Sequence, residues 1–128
     1  MNKLNLFINY AGDIGDIANK ISELLGITLK KETNEFGENY YMFRFLDIEF
    51  VLYYDHGLED DCGINFSDYN CQMQIFKLYS GEKYKSYDNI YNNIAAFLTE
   101  KLSYAFNANV ILVENLQSVV LSSVPANL

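Results

Sequence analysis

The chain has 128 residues and a formal charge of −8, with 50% hydrophobic and 16% aromatic residues. This length suits one domain with one core, and the hydrophobic content excludes a disordered chain. The acidic balance argues against nucleic acid and anionic membrane as partners.

The charge is concentrated. Between Glu32 and Asp68 ten acids face a single base, Arg44, whereas the rest of the chain holds eight Lys and seven acids. A segment of this kind makes a local negative field that attracts a basic partner. The apolar run Leu4 to Ile8 is interrupted by Asn5 and is too short for a signal-peptide core, and no stretch approaches a membrane span. The expected compartment is the cytoplasm. There the two cysteines, Cys62 and Cys71, read as reduced thiols, Cys71 as core filling, with a disulfide between them as the alternative.

The first element expected is a strand from Leu4 to Tyr10, broken by Gly12. A helix follows, with Asp13 as N-cap and Asp16 in its first turn. Ile14, Ile17, Ala18, Ile21, Leu24 and Leu25 form one apolar stripe, and Gly26 supplies a left-handed stop. Ile27 to Lys31 alternates and reads as a short strand. Glu32 to Asn39 reads as a polar loop. Tyr40 to Leu46 and Ile48 to Tyr54 read as strands, joined at Asp47 either as a tight hairpin or as one bent strand. Ile48, Phe50, Leu52 and Tyr54 share a face.

Residues 55 to 70 show little periodicity, and a loop this long is usually functional or structured in its own right. Cys71 to Tyr79 reads as a strand, either buried on both faces or bulged. A second helix is expected from about Asp88 to Phe106, with a stripe of Ile90, Ile94, Phe97, Leu98, Leu102, Ala105 and Phe106, and Asn107 as its stop. Val110 to Val113 and Gln117 to Val124 complete the strands. The sum is one α+β domain over residues 1–128: a mostly antiparallel sheet of about six strands with two amphipathic helices packed on it.

Three kinds of chemistry come into question in the loop from Asp55 to Asp68. His56, Cys62 and the carboxylates are metal-ligand types, but their spacing matches neither a zinc framework nor a calcium loop. A Cys62–His56 pair would need contact that spacing does not establish, and crowded acids raise a thiol pKa, the wrong direction for a nucleophile. Asp60 and Asp61 could act as acid and base only inside a cleft. The plain alternative to all three is a solvated acidic loop. No phosphate-binding glycine motif occurs. Aromatics are interleaved with the acids: Phe36, Tyr40, Tyr41, Tyr53, Tyr54, Phe66 and Tyr69. Tyr anchors beside fixed carboxylates are what a complex with a basic protein uses.

Four blocks of the chain resemble small bacterial immunity proteins, particularly those of contact-dependent growth inhibition systems. They are Leu4 to Tyr10 (LNLFINY) with its following helix, Phe45 to Leu52 (FLDIEFVL), Leu58 to Tyr69 (LEDDCGINFSDY) and Val110 to Leu116 (VILVENL). The resemblance implies a non-enzymatic cytoplasmic antitoxin without cofactor or metal. Such a protein binds the C-terminal domain of a cognate toxin, often a nuclease, and blocks its active site or substrate groove. The family supplies no residues to carry over, so the contact set comes from charge and expected exposure. It is Glu59, Asp60, Asp61 and Asp68 with Tyr69 as aromatic anchor, then Glu35, Glu38 and Glu49. Two other readings stay open: a small metal- or Cys-dependent enzyme using the loop Asp55 to Asp68, and an acidic adaptor for a basic host protein.

Overall fold

The computed structural model describes residues 3–54, 56–79, 81 and 84–125. In chain order the elements are β1 (Leu4–Ile8), α1 (Ile14–Leu25), β2 (Lys30–Thr33), β3 (Asn39–Phe45), β4 (Ile48–Tyr54), a 3-10 turn (Phe66–Asp68), β5 (Cys71–Lys77), α2 (Tyr87–Phe106), β6 (Val110–Glu114) and β7 (Ser118–Ser123). The strands form one sheet in the order β2-β3-β4-β5-β1-β6-β7. Every pairing is antiparallel. The α+β expectation therefore holds, with seven strands rather than about six.

β1 lies at the centre, between β5 and β6, and all five of its residues are buried. Leu4, Leu6 and Ile8 point to the main core, together with Phe50 and Leu52 of β4, Met73 and Ile75 of β5, and Leu112 of β6. Both helices cover this face. Phe7 points the other way, into a second, smaller core with Ile64, Phe66, Ile111 and Val113. No helix among the described residues is long and apolar enough to cross a membrane.

α1 follows its sequence signals. Asp13 accepts a hydrogen bond from the Gly15 N–H at 2.8 Å, and Gly26 takes the left-handed conformation (φ 67°) whose N–H returns to Ser22 O. Ile14, Ile17, Ala18 and Ile21 are buried as the stripe requires. α2 begins one residue earlier than expected, and its buried face is rotated. Tyr91, Ala95, Leu98, Thr99, Leu102 and Ser103 are inside, whereas Ile90 and Phe97 are 40% and 39% exposed and Ala105 is also outside.

Hydrogen bonding accounts for the rotation. The Tyr91 hydroxyl accepts the Leu4 N–H at 2.9 Å and donates to Ile75 O at 2.8 Å, tying the start of β1 to the end of β5. The Thr99 hydroxyl donates to Ala95 O, and the Ser103 hydroxyl lies 2.7 Å from Ala108 O and 3.1 Å from Ser123 O. Small polar residues that satisfy themselves on backbone carbonyls can face a sheet closely, and an apolar count alone does not register them.

Two turns also depart from expectation. β2 is displaced from Ile27–Lys31 to Lys30–Thr33, while Ile27 and Leu29 pack on the main core. The cause is the turn that follows. The Asn34 side chain accepts both the Phe36 and Glu38 N–H groups, and the Asn34 N–H donates to Glu38 O. That turn sets Thr33 opposite Asn39, drawing Glu32 and Thr33 from the expected loop into the strand. At the next connection Leu46 (φ 50°) and Asp47 (φ 57°) are both left-handed. This is a two-residue hairpin turn, so β3 and β4 are separate strands.

Removing the Tyr91 hydroxyl leaves a buried N–H and a buried carbonyl each short of one partner. The expected cost of Tyr91→Phe is about 1–3 kcal/mol, read as a lower urea midpoint with an unchanged m value.

Candidate functional site

The sheet register decides which acids meet. Tyr40 pairs with Tyr53, and Tyr54 pairs with Cys71, which pairs in turn with Ile8. The β2–β3 turn, the two ends of the segment from residue 56 to 70 and the start of α1 therefore lie at one end of the sheet, while the middle of that segment crosses the open sheet face, where Ile64 and Phe66 pack with Phe7, Ile111, Val113 and Leu116. Glu35 and Glu38 on the turn and Glu59, Asp60, Asp61 and Asp68 on the long loop are all exposed. Six of the eight expected contact residues are thus exposed carboxylates on these two segments. Tyr69 is also in this loop, but it is half-buried and packs on the second core.

Glu49 does not join them. It is the second residue of β4, at the opposite end, about 17 Å from Tyr54 along an extended strand. Its carboxylate is 3.0 Å from Arg44 Nε and its side chain is only 19% exposed. A second ion pair lies at that end, between Lys77 and Asp88 at 3.0 Å. Lys77, with the Tyr79 hydroxyl, holds the Asp88 carboxyl below its ordinary range. Among the described residues, Glu59, Asp61 and Asp68 make no ion pair. Two acids are therefore paired at the Glu49 end, where the exposed Asp47 and the half-buried Glu114 make no ion pair among the described residues.

The long loop is built, not merely solvated. Ile64 and Phe66 enter the second core, and Phe66 packs 5.0 Å from Phe7, centre to centre. Burial removes Phe66 from the set of interface aromatics. His56 sits edge-on to Phe7 at 5.4 Å. Its Nδ1 accepts the Leu58 N–H at 2.9 Å, and its Nε2–H donates to Tyr69 O at 2.6 Å, with Phe66 O at 3.2 Å. One ring thus fastens the two ends of the loop to each other. Asp61 and Ile64 exchange backbone hydrogen bonds around a tight turn, where Cys62 is left-handed (φ 52°). Asp60 accepts the Ser67 N–H at 2.9 Å and faces the Ser67 hydroxyl at 3.2 Å.

This geometry bears on the loop chemistry considered above. Both nitrogens of His56 are committed to the backbone, so the ring is a structural clasp and not the base of a Cys62 pair. Cys62 is exposed, while Cys71 is buried and its thiol is pushed up to about 12 by burial. Both cysteines are free, as expected for reduced thiols. Among the described residues no group of three His, Cys, Asp or Glu side chains could hold a metal ion. Asp55 lies outside the described residues.

Sequence reasoning missed the clefts. One of about 510 Å³ lies between the α1 start and the β2–β3 hairpin, with Asp13, Lys31, Tyr41 and Tyr54 in its lining. Another of about 460 Å³ opens on the sheet face away from the helices and is lined by Tyr40, Tyr53, Tyr54 and His56 among others. Glu38, Asn39 and Tyr54 border both. The available signal was the doublet of tyrosines, Tyr40-Tyr41 opposite Tyr53-Tyr54, since adjacent strand residues line opposite faces.

Against family models, curated proteins and solved structures, the chain has no match.

The Asp60 carboxyl is held below its ordinary value of 3.8 by the Ser67 N–H and hydroxyl. Its folded value is the lower one, so its support of the loop is complete above pH 3.8 and is lost as the pH falls through the folded value. The Ser67 amide resonance should shift in that window, and Asp60→Asn should abolish the shift. His56→Ala should raise hydrogen exchange across residues 57–69 by about tenfold or more while leaving α1 and α2 protected, since it unfastens only the loop.

Proposed function

We propose that this protein is an immunity protein: a cytoplasmic, non-enzymatic inhibitor that binds a cognate toxin domain and covers its active site or substrate groove. The expected toxin is a nuclease, whose groove is basic because its substrate is a polyanion.

The observation that carries this reading is a concentration of exposed, unpaired negative charge on two segments. Six exposed carboxylates, from Glu35, Glu38, Glu59, Asp60, Asp61 and Asp68, lie on the β2–β3 turn and the loop of residues 56–70, and none of them makes an ion pair among the described residues. A field of one sign speeds encounter with a basic surface, and the half-exposed tyrosines supply area that can be desolvated on contact. The resemblance of the four sequence blocks to immunity proteins points the same way. The loop is clasped before any partner arrives, which limits the ordering cost of binding.

The direct test is co-purification with any toxin-like C-terminal domain found encoded next to this chain, followed by affinity at low and high salt. The expected result is a tight complex that weakens at least about tenfold as salt screens the open charges. Among Glu59→Ala, Asp61→Ala, Asp68→Ala and Asp60→Asn, at least one should cost ~2 kcal/mol or more. A complex unaffected by all four would put the contact on another surface, and the lack of any complex would end the immunity proposal.

A further inference from the structure

We infer that the 460 Å³ cleft on the open sheet face is a receptor for one cationic side chain of the partner, an arginine by preference. The identity of the partner rests on the inhibitor function proposed above; the chemistry of the cleft does not.

Three rings and one carboxylate make the case. Tyr40 and Tyr53 are cross-strand neighbours on β3 and β4, and Tyr54 closes the strand end beside them. The faces of tyrosine rings carry negative potential and attract a cation within about 6 Å of the ring centre. Glu38 belongs to the same lining, which among the described residues includes no lysine or arginine. A planar guanidinium can stack on a ring and reach a carboxylate at once, which an ammonium does less well. The volume falls within the ~300–1,000 Å³ usual for ligand clefts, ample for one extended side chain.

The walls are already held in place. The Tyr53 hydroxyl donates to Gln72 Oε1 at 2.6 Å, and Gln72 in turn donates to the buried Asn5 at 2.8 Å. Burial pushes the Tyr53 hydroxyl up to about 12, so this ring remains a neutral phenol throughout the physiological range. Asn34 holds the turn that carries Glu38, and His56 is clasped to the loop backbone. The neighbouring 510 Å³ cleft lacks this selectivity. Lys31 lines it, and its Asp13 carboxylate is engaged in capping α1.

The probe is a blocked Gly-Arg-Gly peptide, with the citrulline peptide as its neutral counterpart of the same shape, titrated into the full chain at low salt. The readout is the ring resonances of the tyrosines. The expected result is saturable shifts at Tyr40, Tyr53 and Tyr54, with citrulline binding at least about tenfold more weakly and Tyr40→Leu abolishing the response. Glu38→Gln, on an exposed turn, should weaken arginine binding without touching the fold. Equal responses to both peptides, or shifts confined to residues 59–68, would overturn the assignment.

In the toxin complex, Tyr40→Leu and Glu38→Gln should each speed dissociation. A complex that forms but ignores both variants overturns the cleft and leaves the inhibitor function standing. Selective arginine binding with no toxin complex supports the cleft and overturns the inhibitor function.

Discussion

A five-residue strand with both faces buried sets the terms for the rest of this molecule. β1 lies between β5 and β6, and none of Leu4 to Ile8 reaches solvent. Its main-chain groups are satisfied by its neighbours, but its side chains need a cover on each side. Two helices supply one cover. The other is supplied by the loop after β4, which lays Ile64 and Phe66 over Phe7, with Ile111 and Val113 of β6 beside them. Fully burying two such side chains is worth roughly 1.5–3 kcal/mol each. The acids of that loop are carried on the same segment that covers β1.

This coupling separates two tasks within one segment. Ile64, Phe66, His56 and the backbone turn at Asp61 anchor the loop inward, while Glu59, Asp61 and Asp68 point into solvent. A charged surface can then vary without disturbing the core beneath it. The opposite end of the sheet follows another rule. There Arg44 meets Glu49, and Lys77 meets Asp88 while lying 4.7 Å over the ring of Tyr91. Glu49 and Lys77, the less exposed members of these two pairs, are thus compensated, as burial requires.

The tyrosines join fold and surface. Tyr91 is wholly structural, with its hydroxyl spent on two backbone groups of neighbouring strands. Tyr10 packs on Phe106 at 4.8 Å and donates to Asp16, linking the two helices at their shared end. Tyr40, Tyr53 and Tyr54 keep ring area toward a cleft. A ring with one polar atom can serve in any of these places, and composition alone cannot separate them.

Local signals were legible wherever one interaction decided the outcome. Asp13 and Gly26 bound α1, Asn107 ends α2 at a left-handed φ of 50°, and the alternation of β4 buries Ile48, Phe50 and Leu52. Each depends on atoms a few residues apart, so the amino-acid order determined the helices, most strands and the confinement of negative charge to one segment. The rest needed the tertiary structure. The face of α2 was chosen by Tyr91 reaching strands more than ten residues away, not by the apolar count that favoured Ile90 and Phe97. Phe66 went inward because Phe7 lacked a cover, and Glu49 parted from the other acids because strand register put it beside Arg44. Charge is a property of the chain, but which charges stand together is a property of the sheet, since only pairing between distant strands brings its turns to a common end.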